Sequence, residues 1–200
     1  MRAEKGHAFI MHEVESITIL KNRMLVMERK DVSPRYQEML KCFTHLPQKI
    51  LSLQGIDNMT EFVLHTLCDE GCLNLVKAAY FIDNPDFNCL KGVAGFDKSE
   101  EYHTKNQMSD HTSFKSHLSN CAFNQQVRAI NKPSFKHQEH PQEEVVKRLA
   151  SELGMRDPLS YSWTIKHDNY GLLLFERAFE EETHEEFLNG LSLLGFCPVC

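Results

Sequence analysis

The sequence predicts an α+β domain, and three observations carry that reading. Leu159 to Lys166 alternates large apolar residues at every odd position with polar ones at every even position, which marks a half-buried strand. Leu75–Ile82 and Cys89–Phe96 form a second pair of apolar runs, joined through Asp83-Asn84-Pro85-Asp86, a strong turn signal. Between and around these pairs lie stretches whose apolar residues recur at helical spacing.

Composition bounds the possibilities. The chain has 200 residues, enough for one domain with a sizeable core and an extension. Its hydrophobic content of 42% and charged content of 25% are ordinary for a soluble protein. A net charge of −6 without a clustered basic face argues against direct nucleic-acid binding. No apolar run approaches the roughly 18 to 20 residues needed to cross a bilayer, and Met1–His12 lacks the pattern of a secretory signal. Seven cysteines, an odd number at irregular positions, fit reduced thiols, so the expected location is cytoplasmic, with no membrane partner.

Taken in order, Ile10, Glu13, Ile17, Leu20, Met24 and Met27 share one heptad register. They fit either a short coiled coil or an amphipathic helix lying on its own domain. Ser33-Pro34 starts a helix carrying Tyr36, Met39, Leu40, Phe43, Leu46, Ile50 and Leu51. Pro47 should kink or divide it, and Gly55 offers a stop. Residues 1–55 thus read as an N-terminal helical extension and 56–200 as the main domain. That domain opens with Asn58 as cap and an amphipathic helix carrying Met59, Phe62, Val63 and Leu67, ending near Glu70-Gly71.

The returning strand Cys89–Phe96 contains Gly92 and Gly95, which in a strand mark a bulge or a close backbone approach. Residues 97–109 read as a polar loop. A helix follows from about Asp110 to Phe123, then a short strand Val127–Ile130 and a second polar loop, Asn131–Gln142. Pro141 fits the first turn of a helix carrying Val145, Val146, Leu149, Ala150 and Leu153, which Gly154 ends. After the alternating strand, His167-Asp168-Asn169 turns into Tyr170–Glu176. A closing helix places Phe187, Leu191 and Leu194 on one face behind the acidic stretch Glu180–Glu182.

The order of elements in Leu75–Phe96, Val127–Pro133 and Val145–Leu194 resembles that of GAF domains. The late segment Gly171-Leu172-Leu173-Leu174-Phe175, between a turn and the final helix, is similar to the end of that family. The likeness spans about 140 of the 200 residues and rests on element order, not on invariant residues. It implies a central antiparallel sheet of five to six strands, helices from the start and end of the domain packed on one face, and a ligand pocket on the other. It also implies a homodimer formed through the flanking helices, and a sensory role in signal transduction or transcription regulation, with an output domain or partner protein downstream. Asn131-Lys132 with Phe135 partly matches the motif of cyclic-nucleotide-binding members. It stands before the Val145 helix, lacks the terminal acidic pair, and is a chance match.

Four residues are the pocket candidates: Phe96, His117, Cys121 and Trp163; the competing reading places each in the core. Asp110, Phe114, His117 and Cys121 fall on one helical stripe, with His103 and His111 near, and so offer metal-type ligands. The more economical reading turns Phe114, Leu118 and Cys121 to the core, and no metal is assigned. His137 and His140 belong to a solvated loop. Cys197-Pro198-Val199-Cys200 has the spacing of a redox half-site, yet it follows a helix instead of starting one, and Cys68 and Cys72 read as a semi-buried pair. No nucleophile elbow, phosphate-cradling loop or zinc-protease motif occurs, so the expectation is a non-enzymatic module. The function expected is sensing of a small molecule whose identity the chain does not name, as it names no cofactor. The alternatives are a ligand-free dimerisation or interaction scaffold, and a thiol- or metal-dependent redox sensor.

Overall fold

The computed structural model describes residues 34–52, 58–100, 116–118, 120–137, 142–177 and 190–197. The chain divides into two compact units, residues 1–37 and 38–200, so most of the first described helix belongs with the sheet. The heptad segment Ile10–Met27 and the residues Gly55, His103, Asp110, His111, Phe114, His140, Pro141, Phe187, Pro198 and Cys200 lie outside the described residues.

Five antiparallel strands form one sheet in the order β3-β2-β1-β5-β4. They are β1 Leu75–Asn84, β2 Cys89–Asp97, β3 Asn131–Lys132, β4 Leu159–Thr164 and β5 Tyr170–Arg177. Among the described residues these helices accompany them: α1 Pro34–Ser52, α2 Met59–Cys68, α3 Ala122–Ala129 and α4 Gln142–Glu152. A 3-10 turn at Ser192–Phe196 closes the described chain. The architecture is therefore α+β with the expected antiparallel sheet.

Cross-strand partners share a face, which sorts the sheet into two. Ala78, Tyr80, Phe96, Leu173 and Phe175 lie on one face, with Tyr161 and Trp163 of β4. That face meets α2 and the closing turn: the His65 ring stands edge-on to Phe96, and Gly195 abuts Trp163. The other face carries Ala79, Phe81, Leu90, Leu172 and Leu174, which pack with Phe123 and Val127 of α3 and Val145, Val146, Leu149 and Ala150 of α4. The side on which the resemblance implies a pocket is thus covered by α3 and α4.

Local sequence explains how α3 and α4 are seated. Tyr80 pairs with Ala94 and Phe81 with Gly92, so Val93 is bulged out of register. Gly92 and Gly95 then let α3 lie directly on β2: a β-carbon at Gly92 would meet the Val127 carbonyl oxygen at 1.8 Å. Gly154, at φ +62°, ends α4. Its amide donates to Ser151 O at 3.2 Å and the Met155 amide to Ala150 O at 2.9 Å, the paired bonds of a left-handed helix stop. The β1–β2 turn is fixed by two bonds from Ser134: its Oγ donates to buried Asp83 Oδ2 at 2.9 Å and its N to Asn88 Oδ1 at 3.1 Å.

Several expectations are corrected. Val127–Ala129 is helix, not strand: Phe123 and Val127, four apart, both seat on the glycine side of β2, and helical spacing wins over a short apolar run. The expected continuous helix Asp110–Phe123 breaks, because Cys121 is extended (φ −68°, ψ 112°) between the helical residues 116–118 and α3. α2 is not amphipathic: all its residues except His65 are buried, since it sits between the sheet, α1 and the closing turn. Asn58 makes no side-chain cap. α1 runs through Pro47 as one helix. β4 is an edge strand, and its apolar residues are only partly covered among the described residues, with Leu159 46% exposed. The chain is helical at Gly190–Leu191 and then tightens to 3-10 geometry, with Leu191 and Leu194 buried as expected. Finally, Cys72 is not paired with Cys68: it is disulfide-bonded to Cys42, which corrects the expectation of wholly reduced thiols. The packing of α1 beside the α2–β1 turn brings together two cysteines 30 positions apart. Among the described residues no helix is long and apolar enough to cross a membrane.

Candidate functional site

Three of the four candidates converge. Phe96 lies near the end of β2, buried, with the His65 ring edge-on at 4.8 Å between centroids. His117, on the helical turn before α3, brings its ring to 6.4 Å from that of His65. Cys121 follows one turn later, its Sγ 3.3 Å from His117 Nε2. β3 pairs only with Leu90 and Lys91, so the Phe96 end of β2 needs other cover, and these side chains sit there.

The electrostatics of this cluster keep it neutral. Cys121 precedes the first turn of α3, where the helix field ordinarily favours a thiolate. Burial works the other way, and the carboxylates of Glu100 and Asp97 add to it, so the thiol is pushed up to about 11. Glu100 also accepts the Phe123 amide at 3.2 Å, placing its own negative charge at that helix start. Burial, then the neighbouring His117, holds His65 down to about 3. His117 is likewise lowered by burial, against a raising pull from Glu100. Asp97 is raised by burial, yet its hydrogen bonds from Ser99 and Lys77 outweigh that and leave it lowered. Transfer of the Cys121 proton to His117 therefore runs uphill, because the thiol is raised while the imidazole is lowered. The pair offers an S–H and imidazole nitrogens for hydrogen bonding, not a thiolate nucleophile. Among the described residues no group of three or more His, Cys, Asp or Glu is placed to hold a metal ion.

Trp163 stands apart. It projects from edge strand β4 to the same face as Phe96, but β1 and β5 intervene, a span of roughly 14 Å at ordinary strand spacing. Its indole lies over Gly171, stacks on Tyr80 at 5.7 Å with 3° between planes, and meets Tyr161 at 5.6 Å. It is half-buried, not fully enclosed as its strand pattern leads one to expect, because no strand lies outside β4 in the described sheet. Two polar atoms here, Tyr80 Oη and Trp163 Nε1, are buried with no hydrogen-bond partner among the described residues. Burial, then proximity to Cys197, raises the Tyr80 hydroxyl. The Cys197 thiol is itself raised to about 11 by burial, against a hydrogen bond with Thr60.

Sequence reasoning missed His65 and Glu100. A lone histidine inside the apolar run Phe62–Leu67 was a usable signal for the first; Glu100 sits in a polar stretch with nothing to single it out.

No family model and no curated protein matches the chain. Among solved structures, the GAF domain from a phosphoenolpyruvate-protein phosphotransferase of Coxiella burnetii is similar, with 13% identity and a TM-score of 0.47 over 82% of this chain and 90% of that one. The class that the coordinates themselves define is an α+β domain with a five-stranded antiparallel sheet covered on both faces.

Proposed function

We propose that this chain is a non-catalytic regulatory domain of the GAF type, in which a small molecule biases how the helices of one sheet face pack. The supporting observation is the placement of the chain's elements. α1, α2 and the closing turn gather on one face, while α3 and α4, which fall between the two hairpins in sequence, cover the other. A ligand held against α2 on that face can bias directly how these helices pack. Coupling requires only that the ligand favour one packing over another.

The neutral cluster of Phe96, His65, His117 and Cys121 is the proposed contact. Its imidazoles and S–H suit an uncharged ligand that pairs an apolar or aromatic part with hydrogen-bonding groups. The raised thiol and lowered imidazoles favour this over thiol catalysis. A homodimer acting in the cytoplasm on a partner protein or output domain completes the reading.

Native mass spectrometry of protein purified without added ligand or chelator tests it. One small molecule per subunit, lost in a Phe96→Ala variant that still folds, is the expected result. A clean apo protein, with no change in helix packing across an uncharged metabolite screen, overturns the sensory reading in favour of a ligand-free interaction scaffold.

A further inference from the structure

We propose that Cys42 and Cys72 form a reducible latch that holds α1 against the sheet domain, so that thiol reduction releases this helix while the rest of the domain stays folded. The inference is independent of the ligand reading above.

The two ends of the latch are built differently. Cys72 is buried in the turn between α2 and β1, and that turn is held from many sides. The Cys72 amide donates to Asp69 O at 3.0 Å, Leu73 N to Leu67 O at 2.9 Å, Asn74 N to Asp69 O at 3.0 Å, and Gly71 N to Asp69 Oδ1 at 2.8 Å. Lys98 bridges from the end of β2 to Glu70 Oε1 at 2.9 Å and to Asn74 Oδ1 at 3.3 Å. Cutting the disulfide leaves all of these bonds in place.

Cys42, by contrast, is half-buried on a helix that otherwise docks through a few side chains, among them Phe43 against Gly190 and Lys49 over Phe62. From Glu38 to Ser52 only Met39, Leu46 and Ile50 are buried, and Leu51 is exposed. Pro47 removes one helical amide and crowds the carbonyl of Phe43, so the helix is poor on its own. The disulfide therefore bonds a helix with few buried residues to a turn held by several hydrogen bonds.

Of the two bonded residues Cys42 is the more exposed, so its sulfur is taken as the point of attack. A thiolate of a dithiol reductant attacks Cys42 Sγ, the S–S bond breaks, and Cys72 leaves as a thiolate that takes a proton from solvent. The second thiol of the reductant then displaces the mixed disulfide, releasing Cys42 as a thiol and the reductant as its own disulfide. Two electrons pass from the dithiol to the protein. Opening α1 from Cys42 onwards frees a stretch of about 15 residues, whose closure by a disulfide shifts the docking equilibrium on the order of a hundredfold.

The test uses the full chain with dithiothreitol as reductant, alkylation with intact-mass readout, and hydrogen exchange. Air-oxidised protein should alkylate at five cysteines and reduced protein, once unfolded for labelling, at all seven. Exchange protection across residues 38–52 should fall about a hundredfold on reduction while β1, β2 and β5 keep theirs. Cys42→Ser should match the reduced protein and ignore dithiothreitol; Cys68→Ser should retain the full response. Unchanged α1 protection after the bond is shown broken overturns the proposal. So does loss of protection in the sheet together with α1, which makes the disulfide a plain staple. Seven alkylatable thiols in the oxidised protein overturn it as well.

Discussion

Replacing Gly92 by alanine should be among the most damaging single-methyl additions this domain can receive. A β-carbon at that position stands 1.8 Å from the Val127 carbonyl oxygen, 2.7 Å from its carbon and 3.2 Å from Val127 Cγ1. The first two are backbone atoms of α3, so no rotamer change relieves them. Restoring ordinary contact at 3.4 Å requires β2 and α3 to separate by about 1.6 Å. That movement breaks the hydrogen bond from the Gly92 amide to Ile130 O, now 3.0 Å. It also opens the contact surface of Val127, which is fully buried. One hydrogen bond at about 1 kcal/mol and most of the burial of one valine at about 2 kcal/mol give a cost of about 3 kcal/mol. Two further glycines calibrate the value. At Gly95 the nearest atoms are at 2.9 to 3.1 Å, so Gly95→Ala should cost less. At Gly154 nothing lies within 4 Å and only the φ of +62° opposes a side chain, a cost of about 1 kcal/mol. Urea unfolding with unchanged m values should rank the three Gly92, Gly95, Gly154. A Gly92→Ala cost no larger than that of Gly154→Ala would refute the seating of α3 on β2.

Three other outcomes follow from side chains already described. Tyr80→Phe removes a buried hydroxyl that has no partner among the described residues, and should raise stability by about 1 kcal/mol in thermal denaturation; a loss of stability would give that hydroxyl a bond the described residues do not supply. Asn124 Oδ1 accepts the buried Gly95 amide at 2.8 Å, so Asn124→Ala strands that donor and should cost about 1–3 kcal/mol in urea; a neutral substitution counts against the bond. His65, held down to about 3 from 6.5, binds its proton more readily when unfolded, so between those limits stability rises with pH and is lost as pH falls from 6.5 towards 3. Unfolding midpoints from pH 4 to 7 should show that slope in the parent protein and a flatter one in His65→Phe; equal slopes would contradict the burial of the imidazole.

The hairpin strands and the end of α4 were legible because their signals are local. Alternation marks β4, the Asn-Pro-Asp run marks the β1–β2 turn, and a glycine at positive φ marks the stop after Leu153. Gly92 and Gly95 announced a bulge or close approach, and the structure has both. The nature of α3 was hidden: a short segment such as Val127-Arg128-Ala129-Ile130 looks alike in either state, and the choice was made by glycines some thirty positions earlier. α2 concealed its surroundings for a related reason, since Thr60, Glu61 and Thr66 look like a solvent face until Cys197 reaches Thr60, Arg128 of α3 pairs with Glu61, and Thr66 bonds back to the Phe62 carbonyl. Of the candidate site, Phe96, His117 and Cys121 were found as residues, but their meeting with His65 depends on the packing of α2 against β2, which periodicity does not encode. The Cys42–Cys72 bond was invisible to counting, because an odd number of cysteines is compatible with one bridge as well as with none.

Trp163 is the sole tryptophan of the chain, and its surroundings make it a built-in optical gauge. The indole is clamped between two tyrosine rings, and Gly195 of the closing turn lies against its nitrogen. Light absorbed by Tyr80 and Tyr161 will be handed to a single emitter, and any departure of the closing turn will wet that emitter and shift its colour to the red. Movement of the turn at Ser192–Phe196 can thus be followed in unlabelled protein, in real time and at micromolar concentration, without attaching a dye anywhere.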